Sequence, residues 1–392
     1  MTSEPNDQIA AFYDANPYPP ALADLGDSAA GWDDDRRRIE HHRIWPGRPF
    51  RGDPTVLVAG CGTAQAARYA QRWPRAQVTG VDVSTTALAH TQALADRHGL
   101  GNLQLRELPV EEVDRLDDRF DLVVCTGVLH HLADPTAGLR ALRGVLRPGG
   151  AVNLMVYAPY GRTGVYMIQD YCRRLGIGTT PAEIAELKGS LRELPIVHPL
   201  SPLLRDTPDF GDDHALADAL LNPRDRAYAV PELLALLTEV DLRFGRWVRQ
   251  APYLPWCGVL ATIPHHARLA SLDPPEQYAA AELFRGTMVR HSLYAHAGGG
   301  RDDTAVGFAR DGWHRCVPLL EPTVIALRER LPEGAAVAVL NRAHVDRDLV
   351  VFLSQDERRW FEAVDGRRTM AEIGGPPSFF ERLWRHDLIS ID

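Results

Sequence analysis

The residues best suited to chemistry cluster in one short turn. Val56-Leu57-Val58-Ala59 reads as a buried strand, and it runs into Gly60-Cys61-Gly62-Thr63, a tight turn that opens a helix. Glycines at 60 and 62 let the backbone pass close beneath a ligand, and the helix N-terminus beyond offers unpaired N–H groups to a polar or anionic end. After Gly62 the next strand ends in Val81-Asp82. A carboxylate at the carboxyl edge of a parallel sheet is placed to accept hydrogen bonds from both ribose hydroxyls of a nucleoside. A dinucleotide fingerprint would need a third glycine where Gln65 stands, so a pyrophosphate-binding turn is disfavoured.

Such a turn must be held by a strand and a helix, and the surrounding sequence supplies several of each. Strands are expected at 55–59, 77–81, 103–106, 120–125 and 151–157. Helices are expected at 65–73, stopped by Pro74; at 85–98, capped by Ser84 and closed by Gly99; and at 136–146, closed by Pro148-Gly149-Gly150. This alternation predicts a doubly wound α/β domain, a parallel sheet with helices on both faces, over 55–158. Residues 1–54 form an N-terminal arm. From 159 to 300 the alternation is lost, and a mostly helical middle or cap domain is expected, with helices at 165–175, 181–191 and 231–240. Gly298-Gly299-Gly300-Arg301-Asp302-Asp303 reads as a flexible joint before a small domain at 301–392.

The 392 residues suffice for two or three domains. With 43 Lys+Arg against 52 Asp+Glu, the net charge of −9 argues against a general grip on nucleic acid or an anionic membrane. Lys188 is the single lysine, so the positive charge is carried almost wholly by arginine. No apolar run approaches the roughly 20 residues of a membrane helix, and no signal-peptide pattern opens the chain. Five scattered cysteines with no C-x-x-C pair argue against a disulfide framework, and a cytoplasmic location is expected. The pairs His41-His42 and His265-His266 lack a carboxylate or cysteine at ligand spacing, so no metal is expected.

Taken in order, Val56–Thr63, Val81-Asp82, Phe120–Cys125, Val128-Leu129-His130-His131-Leu132 and Leu146-Arg147-Pro148-Gly149-Gly150 closely resemble the successive motifs of class I S-adenosylmethionine-dependent methyltransferases. The resemblance implies a Rossmann-like fold and S-adenosylmethionine as methyl donor, with Gly60, Cys61 and Gly62 beneath its methionine part and Asp82 on its ribose. Two positions depart from the family pattern. Ala64 replaces a further glycine, and the residues after the third strand, Arg106-Glu107-Leu108-Pro109-Val110-Glu111, lack the usual acidic partner of adenine. Adenine recognition then falls either to backbone groups near Val110 or to Glu111.

The same resemblance puts the exit of the fourth strand, Thr126–His131, beside the transferred methyl. His130 is the leading candidate for a base or substrate orienter and His131 the second, with a purely structural histidine as the alternative. The N-terminal stretch Phe12–Pro20 is similar to a lid found in some members, which would bring Tyr13 and Tyr18 onto the cofactor, and Tyr18 onto the substrate as well; a plain packing arm is the alternative. In the middle segment, Leu221–Tyr228 and Glu282–Thr287 set arginines beside aromatics, and Arg226, Tyr228 and Arg285 are the candidates for holding an anionic substrate.

The C-terminal stretch reads as strand 349–352, helix 355–364, a turn at 365–369, and then a helix and final strand within 379–391. That pattern is similar to the winged-helix modules of the PqqD-like group, which bind peptides. With 13 arginines against 16 acidic residues from Arg301 onward, DNA binding is not supported there. The expected activity is methyl transfer to a small organic molecule, in a setting such as specialised metabolism. Methylation of a peptide recruited by the C-terminal module, and cofactor binding without catalysis, are the alternatives; a homodimer is compatible with each.

Overall fold

A computed structural model describes residues 5–26, 31–298, 308 and 312–392. Seven strands form its main sheet: β1 (Thr55–Ala59), β2 (Gln77–Asp82), β3 (Leu103–Glu107), β4 (Phe120–Thr126), β5 (Leu146–Tyr157), β6 (Leu242–Trp247) and β7 (Arg290–Ala297). Their order is β3-β2-β1-β4-β5-β7-β6. The first five run parallel, with Val56 opposite both Val78 and Leu122. Leu57 and Val58 are wholly buried, as befits a central strand covered on both faces. The strand order reverses between β1 and β4, and in open parallel sheets the crevice at such a reversal is where ligands bind.

The helices that cover these strands begin and end on side-chain signals. Ser84 accepts from the N–H of Ala87 to start the helix Thr85–His98, and Gly99 closes it in the left-handed conformation. Asp134 caps the helix Pro135–Gly144 in the same way. That helix stops two residues before the expected end, because β5 already starts at Leu146 and carries Pro148-Gly149-Gly150 within it. The register slips there, between Phe120 and Leu122 of the neighbouring strand.

The middle segment needs correction. It does supply the helices Thr163–Leu175, Pro181–Arg192, Asp213–Leu221, Val230–Glu239 and Pro274–Arg285, but it also contributes β6 and β7 to the sheet. Leu242-Arg243-Phe244-Gly245-Arg246-Trp247 lies on the edge of the sheet, and its two arginines break the apolar run by which a central strand is recognised.

By packing, the chain divides into two compact units that are discontinuous in sequence. The first comprises Met1–Ala29, Asp53–Leu242 and Gly286–His291; the second comprises Ala30–Gly52, Arg243–Arg285 and Ser292–Asp392. The first unit has a helical core in which Val165, Ile168 and Cys172 meet Ile184, Leu187, Leu216 and Leu220. In the second, β8 (Pro318–Leu320), β9 (Val324–Leu327), β10 (Val337–Asn341), β11 (Val350–Leu353) and β12 (Ile389–Ile391) form a three-stranded sheet β11-β10-β9 and a pair β12-β8. The helices Gln355–Glu362 and Pro377–Arg385 pack there on Val339, Val351, Leu353 and Phe380. The expected strand, helix, turn, helix and final strand are present, preceded by three strands not foreseen. The expected joint lies, apart from Gly298, outside the described residues. Among the described residues no helix is long and apolar enough to cross a membrane.

Candidate active site

The turn after β1 has glycine where nothing else fits. Gly60 and Gly62 have φ of +63° and +55°. A Cβ on Gly60 would lie 2.3 Å from a methyl carbon of Val128, and one on Gly62 would lie 3.0 Å from the carbonyl oxygen of Tyr18. Left-handed backbone and absent room act together here. The N–H of Gly62 donates to one carboxylate oxygen of Asp82 at 2.8 Å, and the N–H of Ser84 donates to the other at 2.9 Å. Asp82 thereby ties the first β–α turn to the second. Burial pushes its carboxyl up from the usual range, while the N–H groups of Ser84 and Gly62 pull it back. Each oxygen retains a lone pair for a further donor.

Asp82 faces a cavity of about 560 Å³, formed entirely by residues of the first unit, a size suited to a small ligand. One end is lined by Gly60, Cys61, Gly62, Asp82, Val83, Leu108, Val110 and Glu111. Gln65 and Arg68, from the helix Gln65–Arg72, also line it. The Gln65 amide is spent on Thr126, whereas the buried Nε of Arg68 has no hydrogen-bond partner. A positive group with an unspent donor is thus left for an anionic ligand end.

The other end draws on Tyr13, Tyr18, His131, Met155, Tyr157, Arg162, Asp218 and Arg224. The Tyr13 hydroxyl donates to Asp218 at 2.9 Å and accepts from the Asn222 amide at 3.1 Å, linking the helix Pro5–Ala15 to the helix Asp213–Leu221. Burial, then the Asp218 charge, hold the Tyr13 hydroxyl well above its ordinary pKa, so it remains a donor. Asp14 accepts from the Ser84 hydroxyl at 2.6 Å and the Thr86 N–H at 3.2 Å; Thr63 donates to the Pro19 carbonyl at 2.7 Å. Residues 13–19 therefore touch both ends of the cavity. The Arg162 guanidinium lies 3.5 Å from the centre of the Tyr157 ring and 3.3 Å from Asp225.

The two adjacent histidines differ. His131 lines the cavity, and its Nδ1 lies 2.6 Å from the carbonyl oxygen of Arg224. A carbonyl can only accept, so Nδ1 of His131 carries a proton. His130 is buried, with its ring 4.0 Å from that of Tyr157, and neither nitrogen has a hydrogen-bond partner. Burial, then the neighbouring His131 and Arg162, push its pKa well below the ordinary value, so it is neutral near pH 7.

The fold thus brings Gly60, Cys61, Gly62, Asp82, Val110, Glu111, Tyr13, Tyr18 and His131 onto one cavity. His130, Arg226, Tyr228 and Arg285 are not among its lining residues. Arg226 is a correction: its side chain is 59% exposed, lies 3.9 Å from Glu232 and covers the ring of Tyr228. Tyr228 is itself buried within the protein. Arg285 is a second correction, since it belongs to the other unit and its donors are spent on Asp346, Asp348 and the Pro252 carbonyl. Tyr157, Arg162, Asp218 and Arg224 also line the cavity and are not singled out by the sequence. Within Leu221–Tyr228 a loop has no periodicity to tell which arginine turns inward.

Comparison with known proteins gives a concordant picture. Residues 57–152 match a family model described as a methyltransferase domain. An uncharacterised protein of Synechococcus sp. is 36% identical over 165 residues, covering 41% of this chain and 39% of that one. The ubiquinone biosynthesis O-methyltransferase of Albidiferax ferrireducens is 35% identical over 147 residues, covering 35% of this chain and 58% of that one. The chain thus spans less than two thirds of the length of these relatives. The structure of PKMT2 from Rickettsia typhi in complex with AdoHcy is similar with a TM-score of 0.64 at 15% identity, covering 96% of this chain and 77% of that one, and it shares the fold.

Proposed function

We propose that the chain transfers a methyl group from S-adenosylmethionine to a nucleophilic atom of a small organic molecule, a reading supported by the match of residues 57–152 to a methyltransferase-domain model and by the strand order around the cavity. The cofactor supplies an electrophilic methyl group; the protein must align the acceptor with it and keep the site dry.

The residues present fit that cofactor. Gly60 and Gly62 leave a cradle that a Cβ would fill, Asp82 accepts from the ribose, and Arg68 offers its unspent Nε–H to the carboxylate of the methionine part. Val110 and Glu111 flank the adenine end. At the far end Tyr13, Tyr157 and His131 surround the acceptor, with Arg162 and Asp218 setting its polarity. The His131 ring is fixed through its Nδ1 by the Arg224 carbonyl.

One observation favours a small acceptor over a polypeptide. The Tyr13 to Asp218 hydrogen bond carries the N-terminal helix across the cavity, whereas a peptide substrate needs a groove open along its length. The test supplies the protein with methyl-labelled S-adenosylmethionine and a cell extract divided by size. Label is expected in the small-molecule fraction. Label confined to polypeptide, or cofactor binding with no label in either fraction, would overturn the proposal.

A further inference from the structure

Beside the cavity, three buried side chains able to ligate a metal come together. One ring nitrogen from each of His130 and His131 and one carboxylate oxygen of Asp225 lie within 4.8 Å of one another. All three side chains are buried; that of Asp225 is 1% exposed. Neither nitrogen of His130 has a hydrogen-bond partner, and neither has Oδ1 of Asp225. An unsatisfied buried polar atom costs about 1–3 kcal/mol, so a cluster of them points to a missing ligand.

The surroundings are those of an outer coordination shell. A metal-ligating histidine usually donates its other ring N–H to a carbonyl or carboxylate, and a ligating carboxylate is hydrogen-bonded through its remaining oxygen. His131 has its Nδ1 at 2.6 Å from the Arg224 carbonyl. Oδ2 of Asp225 accepts from the Gln169 amide at 2.8 Å and from Arg162 at 3.3 Å, leaving Oδ1 unspent. The backbone fixes the arrangement further, since the N–H of Arg226 donates to the His130 carbonyl and that of Tyr228 to the Tyr157 carbonyl. The positive charge of Arg162 is balanced by the carboxylate it contacts.

We propose that His130, His131 and Asp225 form a site for a divalent first-row transition-metal ion. Two imidazoles and one carboxylate suit zinc, iron(II) or cobalt(II), and three protein ligands leave coordination positions open. In a tetrahedral site with metal–ligand bonds of about 2.1 Å the ligand atoms stand about 3.4 Å apart, so the side chains close by up to about 1.4 Å on binding. His131 lies on the cavity wall, so an open position facing the cavity would take an oxygen of the acceptor. This last point rests on the acceptor reading above; the metal site itself does not.

The test uses the full-length protein, treated with a chelator and freed of it, and titrated with cobalt(II) chloride while visible absorption is recorded. One equivalent should bind and give the absorption of nitrogen-ligated cobalt, displaced by zinc(II). Asp225→Asn and His130→Gln should each weaken uptake at least tenfold, while calorimetry with S-adenosylhomocysteine, whose site lies at the other end of the cavity, reports intact folding. If Asp225→Asn loses S-adenosylhomocysteine binding, His130→Gln carries the decision alone. A wild-type protein that takes up no cobalt, or folded variants that bind it as tightly as wild type, would overturn the site whether or not methyl transfer is observed.

Discussion

The two ends of the cavity are made from different kinds of sequence. Gly60, Gly62, Asp82, Val110 and Glu111 follow the ends of successive parallel strands, so sheet topology alone carries them to one edge. Tyr13, His131, Tyr157, Arg162, Asp218 and Arg224 come from scattered stretches and meet only when the helices Thr163–Leu175 and Asp213–Leu221 have packed. The first end is therefore constrained by backbone geometry and the second by individual side chains. Changes at the first should strike cofactor affinity hard, and changes at the second should leave it untouched.

The sharpest way to break this contrast is Gly60→Val. A side chain there meets Val128 on backbone of the left-handed region, adding about 1–3 kcal/mol of strain and about 1–3 kcal/mol of overpacking. Calorimetry should show affinity for S-adenosylhomocysteine almost abolished; a value near wild type would refute the role of the turn. Next in size is Asp82→Ala, which removes a charged hydrogen-bond acceptor and should weaken the same affinity by about 1.5–3 kcal/mol. Unaltered binding would remove the ribose from Asp82.

Tyr13→Phe acts at the other end. It deletes the hydroxyl shared with Asp218 and Asn222, so acceptor KM should rise by the equivalent of about 0.5–1.5 kcal/mol with cofactor affinity unchanged. Equal losses in both would mean that the two ends are not separable. The smallest effect belongs to Arg226→Ala, an exposed side chain outside the cavity, expected to shift binding and stability by less than about 0.5 kcal/mol. A large rise in acceptor KM would restore it as a substrate residue.

The same contrast explains what could be read in advance. β1 and β4 announce themselves because a central parallel strand is a short apolar run, and the turn after β1 has glycines that only a close backbone approach demands. β6 and β7 stayed hidden because Arg243 and Arg246 interrupt the first, and Arg290 and His291 open the second. At the acceptor end, Arg226 was chosen from a segment whose inward residue is Arg224, two positions away. His130 is the leading candidate from sequence although only His131 lines the cavity; their rings stand 4.2 Å apart, and nothing in two adjacent histidines tells which of them meets the open space. Arg285 looked available beside Phe284, and its partners, Asp346 and Asp348, lie some sixty residues further on.

The short stretch from Tyr13 to Pro19 has a kinetic consequence. It is bonded to Asp218 at one end of the cavity and to Thr63 at the other, so any movement that frees one end loosens the other. Donor and acceptor then share a single door. Entry and departure of cofactor and product should follow the same opening step, and weakening that door should quicken entry and departure alike, leaving the equilibrium affinity for the cofactor where it was.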